Sequence, residues 1–231
     1  ISDIFMRRVE SGGVWSFFCP NTAPNLQDTW GDEHEALYLK YEAEGKAHHT
    51  LPARQVFQAI LTSQRETGTP YICFKDSVNR KSPQKNLGCI RGSNLCVEIC
   101  LYSSPDEVSV CTLASIALPK FVEGNQFRFD QLENITRLVT RNLDRTIDIN
   151  AYPIPEAKRS NLRHRPIGIG CQGLADVYAM LKYPYESEEA AALNKQIFET
   201  MYYAALDESC EIARRDGPYS SFVGSPYSKG I

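Results

Sequence analysis

Apolar residues recur along the chain with two different periods, and the alternation between them predicts the elements. From Ala53 the series Ala53, Val56, Phe57, Ile60 and Leu61 follows an i, i+3, i+4, i+7, i+8 spacing, which is one face of a helix. Pro52 suits its first turn, and Gly68 followed by Pro70 ends it. Further helices are expected over Asp32–Glu44, stopped by Gly45, and over Gly173–Leu181. Asp130 and Glu133 have the spacing of a capping box, opening a helix that runs through Ile147. Ser187 caps a long helix through Arg215, with Ile197, Met201, Ala205 and Ile212 on one face, before Gly217-Pro218. Short aromatic and β-branched runs read as strands: Val14–Phe18, Tyr71–Phe74, Cys96–Tyr102, Val108–Leu118 and Ile167–Gly170. Ser103-Ser104-Pro105-Asp106 has turn chemistry, and Lys75–Gly88 is a polar stretch. Strands alternating with helices give an α/β class, part of a barrel.

The 231 residues carry 28 acids against 25 Lys and Arg, interspersed, with 42% hydrophobic content. That is ordinary globular composition without the basic stripe of a nucleic-acid binder. No run of about eighteen apolar residues predicts a membrane span. No basic-then-apolar leader indicates secretion, so the expected compartment is cytoplasmic. The ends, Ile1 and Lys229-Gly230-Ile231, have the look of cuts in a longer chain. Eight cysteines are scattered without a Cys-x-x-Cys and with only four histidines, so metal-ligand spacing is absent and no metal site is expected. Most of these cysteines are expected to be small buried apolar residues.

The informative segment is Ser93-Asn94-Leu95-Cys96-Val97-Glu98-Ile99. In extended backbone Asn94, Cys96 and Glu98 share one face, while Leu95, Val97 and Ile99 share the other and anchor it in a core. An edge strand with one solvated face produces the same pattern, although cysteine is an odd choice for such a face. Periodicity alone names no reaction.

The wider text is more specific. DIFMRRVE (from Asp3), FFCPNTAPNL (from Phe17), SQRETGTPYICFKDSVNRKS (from Ser63) and NLGCIRGSNLCVEI (from Asn86) occur in the first half. DEVSVCTLASIAL (from Asp106), RHRPIGIGCQGLAD (from Arg163), LNKQIFET (from Leu193) and GSPYSKGI (from Gly224) follow. On these runs the chain resembles, from end to end, the catalytic large subunit of class I ribonucleotide reductases, of the kind found in eukaryotes and in viruses with similar enzymes.

The resemblance implies residue roles. Cys96 is the thiyl radical that removes the 3′ hydrogen of a ribonucleoside diphosphate, and Glu98 the general base for the 3′ hydroxyl. Asn94 orients the sugar, so Asn94, Cys96 and Glu98 together form the substrate-binding set. Cys111 is one half of a redox dithiol whose partner cysteine lies upstream of Ile1. Cys19, Cys73, Cys89, Cys100, Cys171 and Cys210 inherit no role and read as structural. Asn79, Arg80 and Ser82 form a polar loop that either borders the site or, the preferred reading, is simply solvated; His164 reads as a maker of structural hydrogen bonds, and Tyr202-Tyr203 as packing. Gly168 and Gly170 match only part of a phosphate-binding glycine pattern, and no nucleotide contact is assigned to them.

The implied fold is part of a ten-stranded α/β barrel with its central finger loop, residues 1–231 forming part of a single catalytic barrel domain. The N-terminal nucleotide-sensing domain and the C-terminal part of the barrel lie outside. A finger loop need not stay extended, so the face alternation around Cys96 is approximate. No cofactor is expected on this chain. The implied full enzyme draws a metal and tyrosyl radical from a small subunit, binds ATP and dNTP effectors elsewhere, forms a homodimer or higher oligomer, and is re-reduced by thioredoxin or glutaredoxin. Two alternatives stay open: a cobalamin-dependent reductase of the same superfamily, and an inactive fragment or assembly module.

Overall fold

The computed structural model describes residues 1–231, which divide into two compact units: Ile1–Glu107 with Val223–Ile231, and Val108–Phe222.

In the first unit, helix α1 (Asp3–Ser11) leads into strand β1 (Val14–Phe17) and, after a turn-rich stretch, helix α2 (Gly31–Ala43). Strand β2 (His49–Pro52) pairs antiparallel with β1, Val14 opposite Pro52 and Phe17 opposite His49. Helix α3 (Ala53–Thr67) follows and ends at Gly68 in the left-handed conformation, as the apolar spacing predicts. The unit's core is aromatic. Trp15 stacks on Tyr38 with ring centroids 4.6 Å apart and meets Phe5 edge-on at 4.9 Å. The Tyr38 hydroxyl donates to Ser16 O and accepts from Ser16 N, and burial pushes this phenol up to about 12.

The stretch Tyr71–Phe74 is not a strand, because no neighbouring strand offers a ladder. Instead Phe74 stands just ahead of helix α4 (Lys75–Lys81), which occupies the start of the polar stretch. Nor is Cys96–Tyr102 a strand; it forms turns and irregular backbone.

In the second unit, strand β3 (Leu113–Ala117) is shorter than the apolar run 108–118 that predicts it. It pairs in parallel with β6 (Gly168–Gln172), Leu113 opposite Gly168 and Ala117 opposite Gln172. Between them lie a two-residue hairpin, β4 (Val122–Glu123) with β5 (Gln126–Phe127), and helices α5 (Phe129–Ile149) and α6 (Pro155–His164). Helices α7 (Leu174–Leu181) and α8 (Glu188–Asp216) follow. This is mixed α/β structure with a parallel strand pair joined through helices, as the alternation of periods predicts. No helix is long and apolar enough to cross a membrane.

The expected capping box on α5 does not form. Arg128 takes Asp130 in a two-pronged bond (3.0 and 2.7 Å) and reaches Glu123 at 2.5 Å, while Glu133 pairs one turn on with Arg137. The helix starts at Phe129 with Arg128 as its cap residue, so Asp130 lies inside the first turn and its carboxylate is taken by arginine. Ser187 does cap α8, its hydroxyl accepting from Ala190 N at 3.2 Å. The buried face of α8 is Leu193, Ile197, Met201, Ala204 and Glu208, rotated from the expected line through Ala205 and Ile212. Glu208 on that face answers Arg141 of α5 at 2.8 Å, and Asp207 answers Arg137 at 2.5 Å. Ile116, Leu118, Leu132 and Val177 complete the core beneath. The turn into α7 depends on Gly173, whose φ is +79° and whose Cβ would sit 2.6 Å from Pro119.

Candidate active-site loop

The loop carrying Asn94, Cys96 and Glu98 is held by helix α4, through Asp76, which the sequence does not mark, and Asn79, which it marks only as part of a polar loop. Asp76 is 2% exposed and accepts two backbone bonds, from Asp3 N at the start of α1 and from Gly31 N at the start of α2, each at 2.5 Å. Burial works against its charge, but the two N–H donors, with His34 and Lys75 nearby, outweigh it and hold the carboxyl below its ordinary value. One side chain thus ties the starts of α1 and α2 to α4, where the helix dipoles favour a negative charge.

One turn further along α4, Asn79 is also buried at 2% exposure. Its Oδ1 accepts from Ile90 N at 2.7 Å and its Nδ2 donates to Ile90 O at 3.0 Å, so the amide pairs with one residue's backbone much as a neighbouring strand would. A second bond from Nδ2 to Lys75 O fixes its rotamer. The expectation of a solvated polar loop at Asn79, Arg80 and Ser82 is therefore corrected: Asn79 and Arg80 lie in α4, and Ser82 caps its end and accepts from Gln84 N.

Past Ile90 the chain returns through Tyr102, whose N–H donates to Gln84 Oε1 at 2.7 Å. Tyr102 lies so close over Gly88 that a Cβ there would meet its ring at 2.7 Å. Pinned at Ile90 and Tyr102, the loop projects its tip, residues 93–99.

At that tip the three candidate residues meet by a turn and not by strand alternation. Val97 N bonds to Asn94 O at 3.2 Å, and Val97 has a positive φ of 67°. The Asn94 side chain then closes the turn, its Nδ2 donating to Glu98 Oε1 at 2.5 Å and its Oδ1 accepting from Ile99 N at 3.1 Å. Ser93 Oγ adds a bond to Ile99 O at 2.6 Å. An asparagine that satisfies nearby backbone in this way diverts it from a ladder, which is the physical reason the expected strand is missing. The expected apolar face fails with it: Leu95 is 83% exposed, and Val97 and Ile99 are only half-buried. Cys96 is exposed within the turn, between the amide of Asn94 and the carboxylate of Glu98 in sequence. The arrangement offers an open thiol on a turn whose amide is already bonded to a carboxylate.

Cys111 belongs to the second unit, exposed just ahead of β3. Next to it Thr112 O accepts from Gly168 N at 3.0 Å, continuing the β3–β6 pairing. The buried Asn161 donates to Thr112 Oγ1 and to the Tyr152 hydroxyl. The other cysteines depart from the expectation of buried apolar residues. Cys19 and Cys210 are exposed, while Cys73, Cys89, Cys100 and Cys171 are half-buried. The fully buried positions are filled by Leu, Ile and Val, and by hydrogen-bonded polar residues such as Asn79 and Thr136, instead. His164 makes the expected structural bond, its Nδ1 2.8 Å from Ser221 Oγ. Tyr202 and Tyr203 are corrected from packing residues to exposed ones, each 60% accessible, with Arg137 over the Tyr203 ring.

Comparison of the sequence with family models gives the class: residues 1–231 match the ribonucleotide reductase barrel domain, and the chain belongs to that family. Curated relatives match over its whole length. It is 58% identical to the ribonucleoside-diphosphate reductase large chain of Schizosaccharomyces pombe, of which it covers 28%. It is 56% identical to the ribonucleoside-diphosphate reductase large subunit of Caenorhabditis elegans and 58% identical to that of Plasmodium falciparum, covering 29% of each. The chain thus spans less than a third of the length of these relatives.

Proposed function

We propose that this chain is the radical-bearing part of a ribonucleoside-diphosphate reductase large subunit, which makes deoxyribonucleotides for DNA synthesis. The observation that carries the reading is the tip turn, where Asn94 is bonded to Glu98 around an exposed Cys96, in a chain of this family. Cys96 as a thiyl radical takes the 3′ hydrogen of the sugar, the S–H and activated C–H bonds being close enough in strength for reversible transfer. Glu98 accepts the proton of the 3′ hydroxyl, and Asn94 positions both the carboxylate and the sugar. The 2′ hydroxyl leaves as water, and a dithiol that includes Cys111 supplies two electrons as it becomes a disulfide.

Both units belong, in this reading, to one ten-stranded barrel, with residues 90–102 as its central finger loop. Its partners are a radical-generating small subunit, a second copy of the large subunit, and thioredoxin or glutaredoxin for re-reduction. ATP and dNTP effectors bind beyond these residues, and the compartment is the cytoplasm.

The test is Cys96→Ser in the full-length subunit, assayed with its small subunit for deoxynucleotide formation. Serine changes the volume little but offers a much stronger O–H bond, so turnover falls to background. Turnover near the wild-type rate overturns the assignment.

A further inference from the structure

Cys111 stands between two ties to helix α6. Three residues before it, Val108 N donates to Glu156 O at 3.3 Å. One residue after it, Thr112 Oγ1 accepts from Asn161 Nδ2 at 3.2 Å. The exposed thiol is therefore carried on a short span, just ahead of β3, with both ends fastened to α6. Thr112 O also accepts from Gly168 N at 3.0 Å, so the residue beside Cys111 is held through its carbonyl and its hydroxyl together.

Asn161 is itself locked in place. It is 1% exposed, and its Nδ2 donates a second bond to the Tyr152 hydroxyl at 2.9 Å. That hydroxyl spends its proton on Ile147 O, 2.7 Å away near the end of α5, so it can only accept from Asn161. The amide orientation follows: nitrogen toward Tyr152 and Thr112, oxygen away from them. There Asn161 Oδ1 is buried and has no hydrogen-bond partner. An orphaned buried acceptor works against folding, and an apolar side chain of similar size removes it. Stability alone does not account for asparagine at this position. What asparagine adds is a nitrogen with two N–H donors, which couples Thr112 to the end of α5.

We propose that Asn161 is a positioning residue for Cys111, acting through Thr112 to keep the thiol where it meets its partner cysteine. This rests on the reading of Cys111 as half of the redox dithiol. In that step both S–H bonds break and an S–S bond forms. The 2′ hydroxyl leaves as water with one hydrogen, the 2′ carbon gains the other, and the sulfurs lose two electrons. A disulfide needs Cα atoms within about 7 Å and Cβ atoms turned toward each other. A displacement of about 1 Å at the start of β3 is enough to slow such a pairing, although Asn161 touches no reacting atom.

The test uses the full-length subunit with its small subunit. Asn161→Leu and Thr112→Val each remove the bond, and kcat for deoxynucleotide formation falls about ten-fold while KM for the ribonucleoside diphosphate is unchanged. The double variant is no slower than either single one, because a single interaction is lost. Thr112→Ser keeps the hydroxyl and restores the rate. With substrate but no external reductant, the disulfide at Cys111, read by mass spectrometry as a loss of two hydrogens, forms more slowly by the same factor. Thr112→Val is close to isosteric, so it decides the matter even if Asn161→Leu does not fold. The proposal is overturned if Thr112→Val turns over near the wild-type rate, or if Thr112→Ser is as slow as Thr112→Val. Cys111→Ser separates the two ideas. Turnover that survives it removes the redox reading; turnover lost there but kept in Asn161→Leu and Thr112→Val removes only the role of Asn161.

Discussion

Replacing Asn79 with alanine isolates the contact that sets the loop on its helix. The side chain satisfies both the N–H and the C=O of Ile90, a residue only 3% exposed. Removing it leaves two buried backbone groups without these partners, at about 1–3 kcal/mol each. Local shifts toward water recover part of that, so about 3 kcal/mol is the working figure for the loop's attachment. At 1.4 kcal/mol per factor of ten, opening at Ile90 becomes roughly 100-fold more frequent. Amide hydrogen exchange on the full-length subunit measures this directly in peptides spanning residues 88–102, with helix α8 as an internal reference. Asn79→Asp is a sharper control, because it keeps an acceptor for Ile90 N but turns a carboxylate toward the carbonyls of Lys75 and Ile90, so it loosens the loop as well. If exchange at Ile90 in the alanine variant stays within about three-fold of wild type, with α8 unchanged, the amide does not anchor the loop.

Three further outcomes follow from contacts elsewhere. Asp76 has a depressed folded-state carboxyl, so its stabilisation is full above the unfolded value of about 4 and is lost as pH falls through the lower folded value. Asp76→Asn is accordingly less stable than wild type at neutral pH, and denaturant titrations show the gap closing below about pH 4; a constant gap down to pH 2.5 refutes the assignment. Gly173→Ala places a Cβ 2.6 Å from Pro119 at a φ of +79°, so denaturant unfolding registers a loss of about 2–4 kcal/mol; a loss under about 0.5 shows that the turn simply relaxes. Asn94→Ala cuts the ties to Glu98 and to Ile99 N, so deoxynucleotide formation drops at least about ten-fold through kcat, with faster exchange over 93–99; unchanged kinetics remove Asn94 from the proposed machinery.

What the sequence determined by itself is what short-range physics controls. The helix from Ala53 to Gly68 follows from a single apolar face and its stop residues, and the start of α8 follows from the Ser187 cap. The chemical content of the site, a thiol flanked by an amide and a carboxylate, is also written in seven consecutive residues. Tertiary structure decided how those groups meet. Strands need partners, so the apolar runs at 71–74 and 96–102 stayed irregular where no ladder was offered, while His49–Pro52, with little apolar signal, became a strand against β1. Alternation puts Asn94 and Glu98 on one face, but it was the capture of Ile99 N by the Asn94 side chain that bent the segment into a turn. Asp76 and Asn79 look like ordinary polar residues of a solvated stretch. Only the arrival of Asp3, Gly31 and Ile90 from distant parts of the chain buries them and makes them the supports of the loop. A side chain's hydrogen-bonding capacity is local, but whether it is spent on water or on backbone depends on what the fold brings within 3 Å.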